Sequence, residues 1–189
     1  MQNQLKTLQI LRAIAATSVV YYHVKCLPNF GSFGVDIFFV ISGFVMSLIV
    51  ANGESTTRFA INRVARIVPL YWLLTSAVLV LTLFYPALFD STTADFYNYL
   101  KSLFFIPYYK ESGYLHPMLT MGWSLNYEMF FYACIWLSVI AFGRRFFFST
   151  LFLLIVSYIL LGNLVENRVM NSFFGDYMVF EFMAGMILH

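Results

Sequence analysis

Apolar runs on the scale of a lipid bilayer dominate this chain and leave it few ways to fold. A membrane-spanning helix takes roughly 20 mostly apolar residues, and six such stretches can be marked out: residues 8–24, 35–51, 67–84, 121–142, 146–161 and 177 to the C-terminus. The stretch FYNYLKSLFFIP, residues 96–107, is shorter and carries Lys101, so it reads as an interfacial or re-entrant helix. With 61% hydrophobic and 11% charged residues, the chain is far more apolar than the roughly 45 to 50% of a soluble domain. The expected fold is all-α: a polytopic transmembrane helix bundle of about six spans. No internal repeat, low-complexity tract or linker divides it, so residues 1–189 are expected to form a single integral-membrane domain whose first partner is the lipid bilayer.

Charge excludes one class of partner and sets the orientation. Eleven basic residues against nine acidic ones, with no basic tract, give no footprint for nucleic acid. Cys26 and Cys134 show no metal-ligand spacing, and a disulfide between them is not expected. The first apolar run holds Arg12 and lacks a small-x-small cleavage site, so it reads as a span and not as a cleaved signal. An N-terminus in the cytoplasm puts Lys6, Arg58, Arg63, Arg66, Arg144 and Arg145 inside. Lys25, Lys101, Lys110 and Arg168 then fall on longer outer loops, as the positive-inside rule favours.

Two ionisable residues inside the first run mark a functional site. A central charge costs roughly 2.5 to 3.5 kcal/mol to insert, yet LQILRAIAATSVVYYHV keeps both Arg12 and His23. Eleven residues at about 100° each put the two roughly 20° apart on one helix face, separated by about 16 Å along the axis. That face could hold a long ligand at two points. In the N-in topology Arg12 lies towards the inner arginines, whereas His23, Asp36, Glu128 and Glu181 come out towards the other side.

These segments resemble a known family. The run with Arg12 and His23, the segment FGVDIFFVISGFVMS, the stretch RFAINRVARIVPLYWL and the later WSLNYEMFFY are similar, in the same order, to the acyltransferase type 3 family. Its members are membrane enzymes of bacteria and eukaryotes that move acyl groups, often acetyl, from coenzyme A carriers to sugars, polysaccharides or antibiotics. The resemblance covers most of residues 6–142 and continues afterwards only in hydrophobicity and in FEFMAGMIL near the end. It implies acyl-CoA, typically acetyl-CoA, as donor and a hydroxyl of a carbohydrate or small molecule as acceptor. It also implies no metal and residence in the bacterial inner membrane. Family members have about ten spans, so the resemblance implies a C-terminally truncated form, or a shortened one whose missing helices come from a second chain.

The chemistry assigns roles. Coenzyme A carries phosphates at one end and a thioester at the end of a long arm. Arginine suits phosphate because its planar fork stays charged. Arg12, Arg63 and Arg66 are therefore expected to bind the donor, although Arg63 and Arg66 also fit ordinary positive-inside anchors. His23 is expected to take the acceptor hydroxyl's proton, its ordinary pKa of about 6.5 suiting that task. Asp36 either orients His23 or caps the second helix. Glu128, in an apolar helix, needs a partner such as His23 or an arginine. Trp123 and Ser124 are expected to line the site, with an interfacial anchor as the other reading of Trp123. Ser42 lacks a G-x-S-x-G setting, His116 and His189 acquire no role, and Glu181 is a candidate on depth alone. Two rival readings stand beside the enzyme. One is a non-catalytic or truncated membrane subunit. The other is a transporter, for which the broken helices and paired repeats are lacking.

Overall fold

The computed structural model describes residues 2–24, 33–89 and 92–189. Among the described residues the regular structure is helical throughout. Its helices are α1 (Gln2–His23), α2 (Phe33–Ala51), α3 (Thr56–Phe84), α4 (Phe96–Leu103), α5 (Trp123–Phe142), α6 (Phe146–Ile159), α7 (Arg168–Phe174) and α8 (Met178–Ile187). Lys25 and Cys26 lie outside the described residues, as do the side chains of His23 and Arg144.

Among the described residues, four stretches are long and apolar enough to cross a membrane: Phe33–Ala51, Thr56–Phe84, Thr120–Phe142 and Phe146–Leu164. They fall on four of the six expected spans. The other two expected spans are also helical but are not among these four. In α1 the polar Lys6, Gln9, Arg12, Thr17 and Ser18 dilute the apolar run, and α8 has 10 residues. The expected short helix forms as α4, capped by Asp95, whose side chain accepts from the Tyr97 amide at 2.8 Å.

The chain divides into two compact units, residues 1–53 with 177–189 and residues 54–176. The first holds α1, α2 and α8, joined where glycines remove the Cβ. At Gly34 a Cβ would stand 2.5 Å from the Ala15 carbonyl oxygen and 2.9 Å from Val19 Cγ2, so the start of α2 rests on the α1 backbone. A Cβ on Gly43 would collide with the Phe182 carbonyl, and one on Gly185 with the Val40 carbonyl, so α2 and α8 meet backbone to backbone. Between helices in lipid, apolar side chains gain nothing by leaving the solvent, and close backbone contact supplies the attraction. The Phe39 and Phe182 rings, with centroids 4.6 Å apart, fill the space beside this contact.

The second unit holds α3 to α7. Ser55 starts α3 by accepting from the Arg58 amide at 3.3 Å. The helix then runs for 29 residues, or about 43 Å, against roughly 30 Å of hydrocarbon. The excess is the segment with Arg58, Arg63 and Arg66, which is therefore a helical extension of the span and not a loop. Pro69 sits inside the helix without breaking it, at the cost of the bond its missing N–H would give the Ala65 carbonyl. At the other end, Gly122 lets α5 start against the Tyr71 ring, where a Cβ would stand 2.5 Å from Cε2. Beyond α6, a π-type turn over Leu160–Leu164 brings Gly162 so close to Gly175 that a Cβ would lie 2.6 Å from the Gly175 nitrogen. A single crossing by each of α3, α5 and α6, which their length and hydropathy allow, would put the α3–α5 connection and the segment after α6 on one side. The arginine-bearing start of α3 and the α5–α6 turn with Arg145 would then fall on the other.

Candidate functional site

Within residues 54–176 two of the sequence-predicted residues, Arg63 and Trp123, line two different cavities, whereas Arg66, Ser124 and Glu128 line neither. The first, of about 270 Å³, lies between α3 and α5 and is lined by Phe59, Arg63, Val64, Met129, Tyr132 and Trp136, among others. Arg63 is its cation. The guanidinium lies 6.0 Å from the Phe59 ring centroid and 6.0 Å from that of Tyr132, and its buried Nε has no hydrogen-bond partner. A buried N–H donor left unmatched costs about 1 to 3 kcal/mol. An anion with an oxygen to offer would relieve that cost, so the donor set fits a phosphate. Arg66 shares the helix but is exposed.

Glu128 sits one turn before Tyr132 on α5, and the Tyr132 hydroxyl donates to its Oε1. The expectation for this carboxyl group is a partner such as His23 or an arginine, and among the described residues the Tyr132 hydroxyl supplies one, because the i and i+4 positions share a face. Tyr132 thus joins Arg63, through its ring, to Glu128, through its hydroxyl. Ser124 lies half-buried on the first turn of α5.

Trp123 belongs to the second cavity, of about 340 Å³, whose lining includes Tyr109, Tyr114, His116, Trp123, Tyr127 and Asp176. The loop over residues 110–116 is shaped by backbone bonds from Lys110 to Tyr114 at 3.0 Å, Gly113 to Lys110 at 2.9 Å and His116 to Tyr114 at 3.0 Å. Gly113 takes a φ of 78°, a left-handed conformation that glycine adopts without a steric penalty. Lys110 anchors the loop from below. It is 6% exposed, and its Nζ donates to Thr92 Oγ1 at 2.8 Å, the Met118 carbonyl at 3.0 Å and Thr120 Oγ1 at 3.0 Å. Burial lowers its pKa to about 8 against an opposing pull from Glu111. His116 is also held below its ordinary pKa, first by burial and then by the Lys110 charge. Its imidazole is therefore mainly neutral at pH 7.

In the first unit, α1 runs unbroken from Gln2 to His23. Arg12 is partly buried, and position 23 follows it by three turns on the same helix. Asp36 lies in the first turn of α2, which begins at Phe33. It is thus inside the helix and not at its cap, where its charge still complements the positive helix end. Ser42 is buried and its hydroxyl has no hydrogen-bond partner, while Glu181 lies in the first turn of α8. Among the described residues, no group of three His, Cys, Asp or Glu side chains is placed to hold a metal ion. Sequence reasoning missed Tyr132, Tyr114, Lys110 and Asp176, and gave His116 no role. The density of rings in YYKESGYLHP was the available signal for the second cavity.

Comparison with known proteins agrees with the motifs. The chain is 36% identical over 163 residues to the exopolysaccharide production protein ExoZ of Rhizobium meliloti, covering 84% of this chain and 50% of that protein. It is 33% identical over 137 residues to the putative peptidoglycan O-acetyltransferase YrhL of Bacillus subtilis, and 30% identical over 137 residues to the peptidoglycan O-acetyltransferase OatA of Listeria monocytogenes. Each of these two alignments covers 65% of this chain and 22% of the relative. The chain thus spans half or less of the length of these relatives. No solved structure matches it. The model of the acyltransferase domain family matches residues 5–189, nearly the whole chain, and the protein belongs to that acyltransferase family.

Proposed function

We propose that this protein transfers an acyl group, acetyl in the simplest case, from acyl-CoA to a hydroxyl of a carbohydrate at the bacterial inner membrane, with its N-terminus in the cytoplasm. The observation that carries this reading is the register of Arg12 and His23 on one uninterrupted helix, in a chain matched by the acyltransferase family from residue 5 onward. The relatives' names supply the acceptor class: exopolysaccharide for one, peptidoglycan for two.

In this scheme Arg12, Arg63 and Arg66 hold the donor's phosphates, each fork matching two phosphate oxygens. Arg63 brings the unmatched Nε described above. His23 accepts the proton of the acceptor hydroxyl as its oxygen attacks the thioester carbonyl. The carbon–sulfur bond then breaks, an ester forms, and the proton leaves with the coenzyme A thiolate to give free thiol. Asp36 orients the imidazole and stabilises its charged form, and Glu128 helps position the acceptor. The test is transfer of label from radioactive acetyl-CoA to envelope polysaccharide in membranes that contain the protein. His23→Gln should lower transfer by roughly 100-fold to 10,000-fold, the usual effect of a missing acid–base group. Full transfer by His23→Gln would remove this mechanism.

A further inference from the structure

The aromatic cavity takes no part in the mechanism above, and its chemistry singles out a ligand class. Four rings follow one another along its wall: Tyr114 to His116 at 5.7 Å with planes 17° apart, His116 to Trp123 at 6.4 Å, and Trp123 to Tyr127 at 6.2 Å. Tyr127 is fixed from behind by Phe173, stacked on it at 4.3 Å, and its hydroxyl reaches Asp176 Oδ2 at 3.5 Å. Tyr109 is held by Ser172 through a bond between their hydroxyls and by Arg168, whose guanidinium lies 4.4 Å from its ring centroid. Rigid rings are therefore interleaved with hydroxyl, imidazole and carboxyl groups around about 340 Å³ of space. That volume is within the usual range for a small-molecule site.

A ligand that fits must offer flat apolar faces to the rings and many hydroxyls around its rim. A sugar ring does both, through its C–H faces and its equatorial hydroxyls. A nucleotide would offer a stacking face too, but the lining has Asp176 and no lysine or arginine to meet its phosphates. A lipid tail would leave the carboxyl, imidazole and hydroxyl groups unmatched. The cavity also lies on the side of α3 and α5 away from the arginine-rich start of α3. An acceptor that arrives from the opposite side to coenzyme A would meet it first.

We infer that the cavity walled by Tyr114, His116, Trp123 and Tyr127, with Asp176 at its rim, binds a neutral sugar unit of the acceptor polysaccharide next to the unit that is acylated. Stacking on Tyr114 and Trp123 holds the ring, and Asp176 and His116 take its hydroxyls. The inference rests on the acyltransferase reading for its biological sense, but sugar binding can be measured without turnover.

The purified protein in nanodiscs is titrated with cellotetraose and with chitotetraose, read by saturation-transfer NMR and by tryptophan fluorescence. At least one of them should bind saturably in the millimolar range or tighter, with the strongest transfer to ring C–H protons. Tyr114→Ala removes an exposed ring and should weaken binding by about tenfold, the scale of one lost aromatic contact. Tyr114→Phe keeps the stacking face and should bind like the parent, which separates the ring's role from a folding defect. Three results would each overturn the inference: no saturable binding of either sugar, equal affinity in Tyr114→Ala and the parent, or displacement of the sugar by coenzyme A. A failure of the acyl-transfer reading looks different, because sugar binding would persist in a protein that labels no acceptor.

Discussion

The two cavities of the unit formed by residues 54–176 meet different stretches of α5, its middle for one and its start for the other, and differ in how they are built. The groove around Arg63 is made by two long helices, and its wall is apolar except for one cation with an unmatched N–H and one tyrosine bonded to Glu128. The cup around Trp123 is made mostly by loops, held by Lys110 and by the Gly162–Gly175 contact, and is lined by rings with an acidic rim. Helix spacing sets each wall of the first, because residues three and four apart share a face, and two straight helices need only pack side by side to complete it. The second needs segments more than 40 residues apart to close on each other. The groove suits an anion on an apolar arm, the cup suits an uncharged polyol, and that division matches a donor and an acceptor that come from different sides.

The sharpest way to break this comparison is to take the cation out of the groove. Arg63→Ala should weaken coenzyme A binding by roughly 1.5 to 3 kcal/mol, the range for a lost charged hydrogen bond, or about 10-fold to 100-fold. Arg63→Lys should recover only part of this, because an ammonium keeps the charge but loses the planar fork. Neither change should alter sugar affinity. Calorimetry with coenzyme A in nanodiscs checks the expectation, and unchanged affinity in Arg63→Ala would leave the groove without its anion.

A milder change tests the cup from a distance. Gly162→Ala forces a methyl group against the backbone of Phe174 and Gly175, so the segment that leads into Asp176 must shift. Overpacking of this kind typically costs about 1 to 3 kcal/mol. The melting temperature should fall, and sugar binding should weaken while coenzyme A binding holds. Equal losses at both cavities would mean that the two are not independent.

How much of this was legible in the sequence follows the same division. The four helices able to cross a membrane, the short α4, and the arginines placed three apart on α3 could be read from hydrophobic runs and helical spacing, since a helix fixes its own neighbours. The extent of α3 was less legible, because the apolar run that marks the span begins at residue 67 whereas the helix starts at Thr56. The partner of Glu128 was hidden for a simple reason: Tyr132, one turn along, looked like one more lipid-facing ring in an apolar run. The aromatic cup left one trace in the sequence, the ring density of YYKESGYLHP, but nothing local brings Tyr114 and Trp123 to Asp176. That closure depends on Gly113 turning the loop, on Lys110 tying it down and on two glycines meeting 13 residues apart in sequence.

The smallest expected effect is a titration, and it probes how the cup is held together. His116 sits below its ordinary pKa of about 6.5 because burial disfavours the charged ring and because Lys110 adds a like charge. Lys110→Met removes that charge, so the His116 midpoint should rise, by less than the burial contribution that remains. The sign for stability follows. Between the folded midpoint and 6.5 the unfolded chain binds this proton more readily, so the group's contribution to stability falls as pH drops through that window. In Lys110→Met the window should narrow, even though the variant loses the three bonds that Nζ donates and is less stable at every pH. Imidazole resonances followed by NMR between pH 4 and 8 would show the shift. A midpoint that stays put or moves down in Lys110→Met would mean that the lysine charge does not reach the cup, and that burial alone keeps His116 neutral for the ligand.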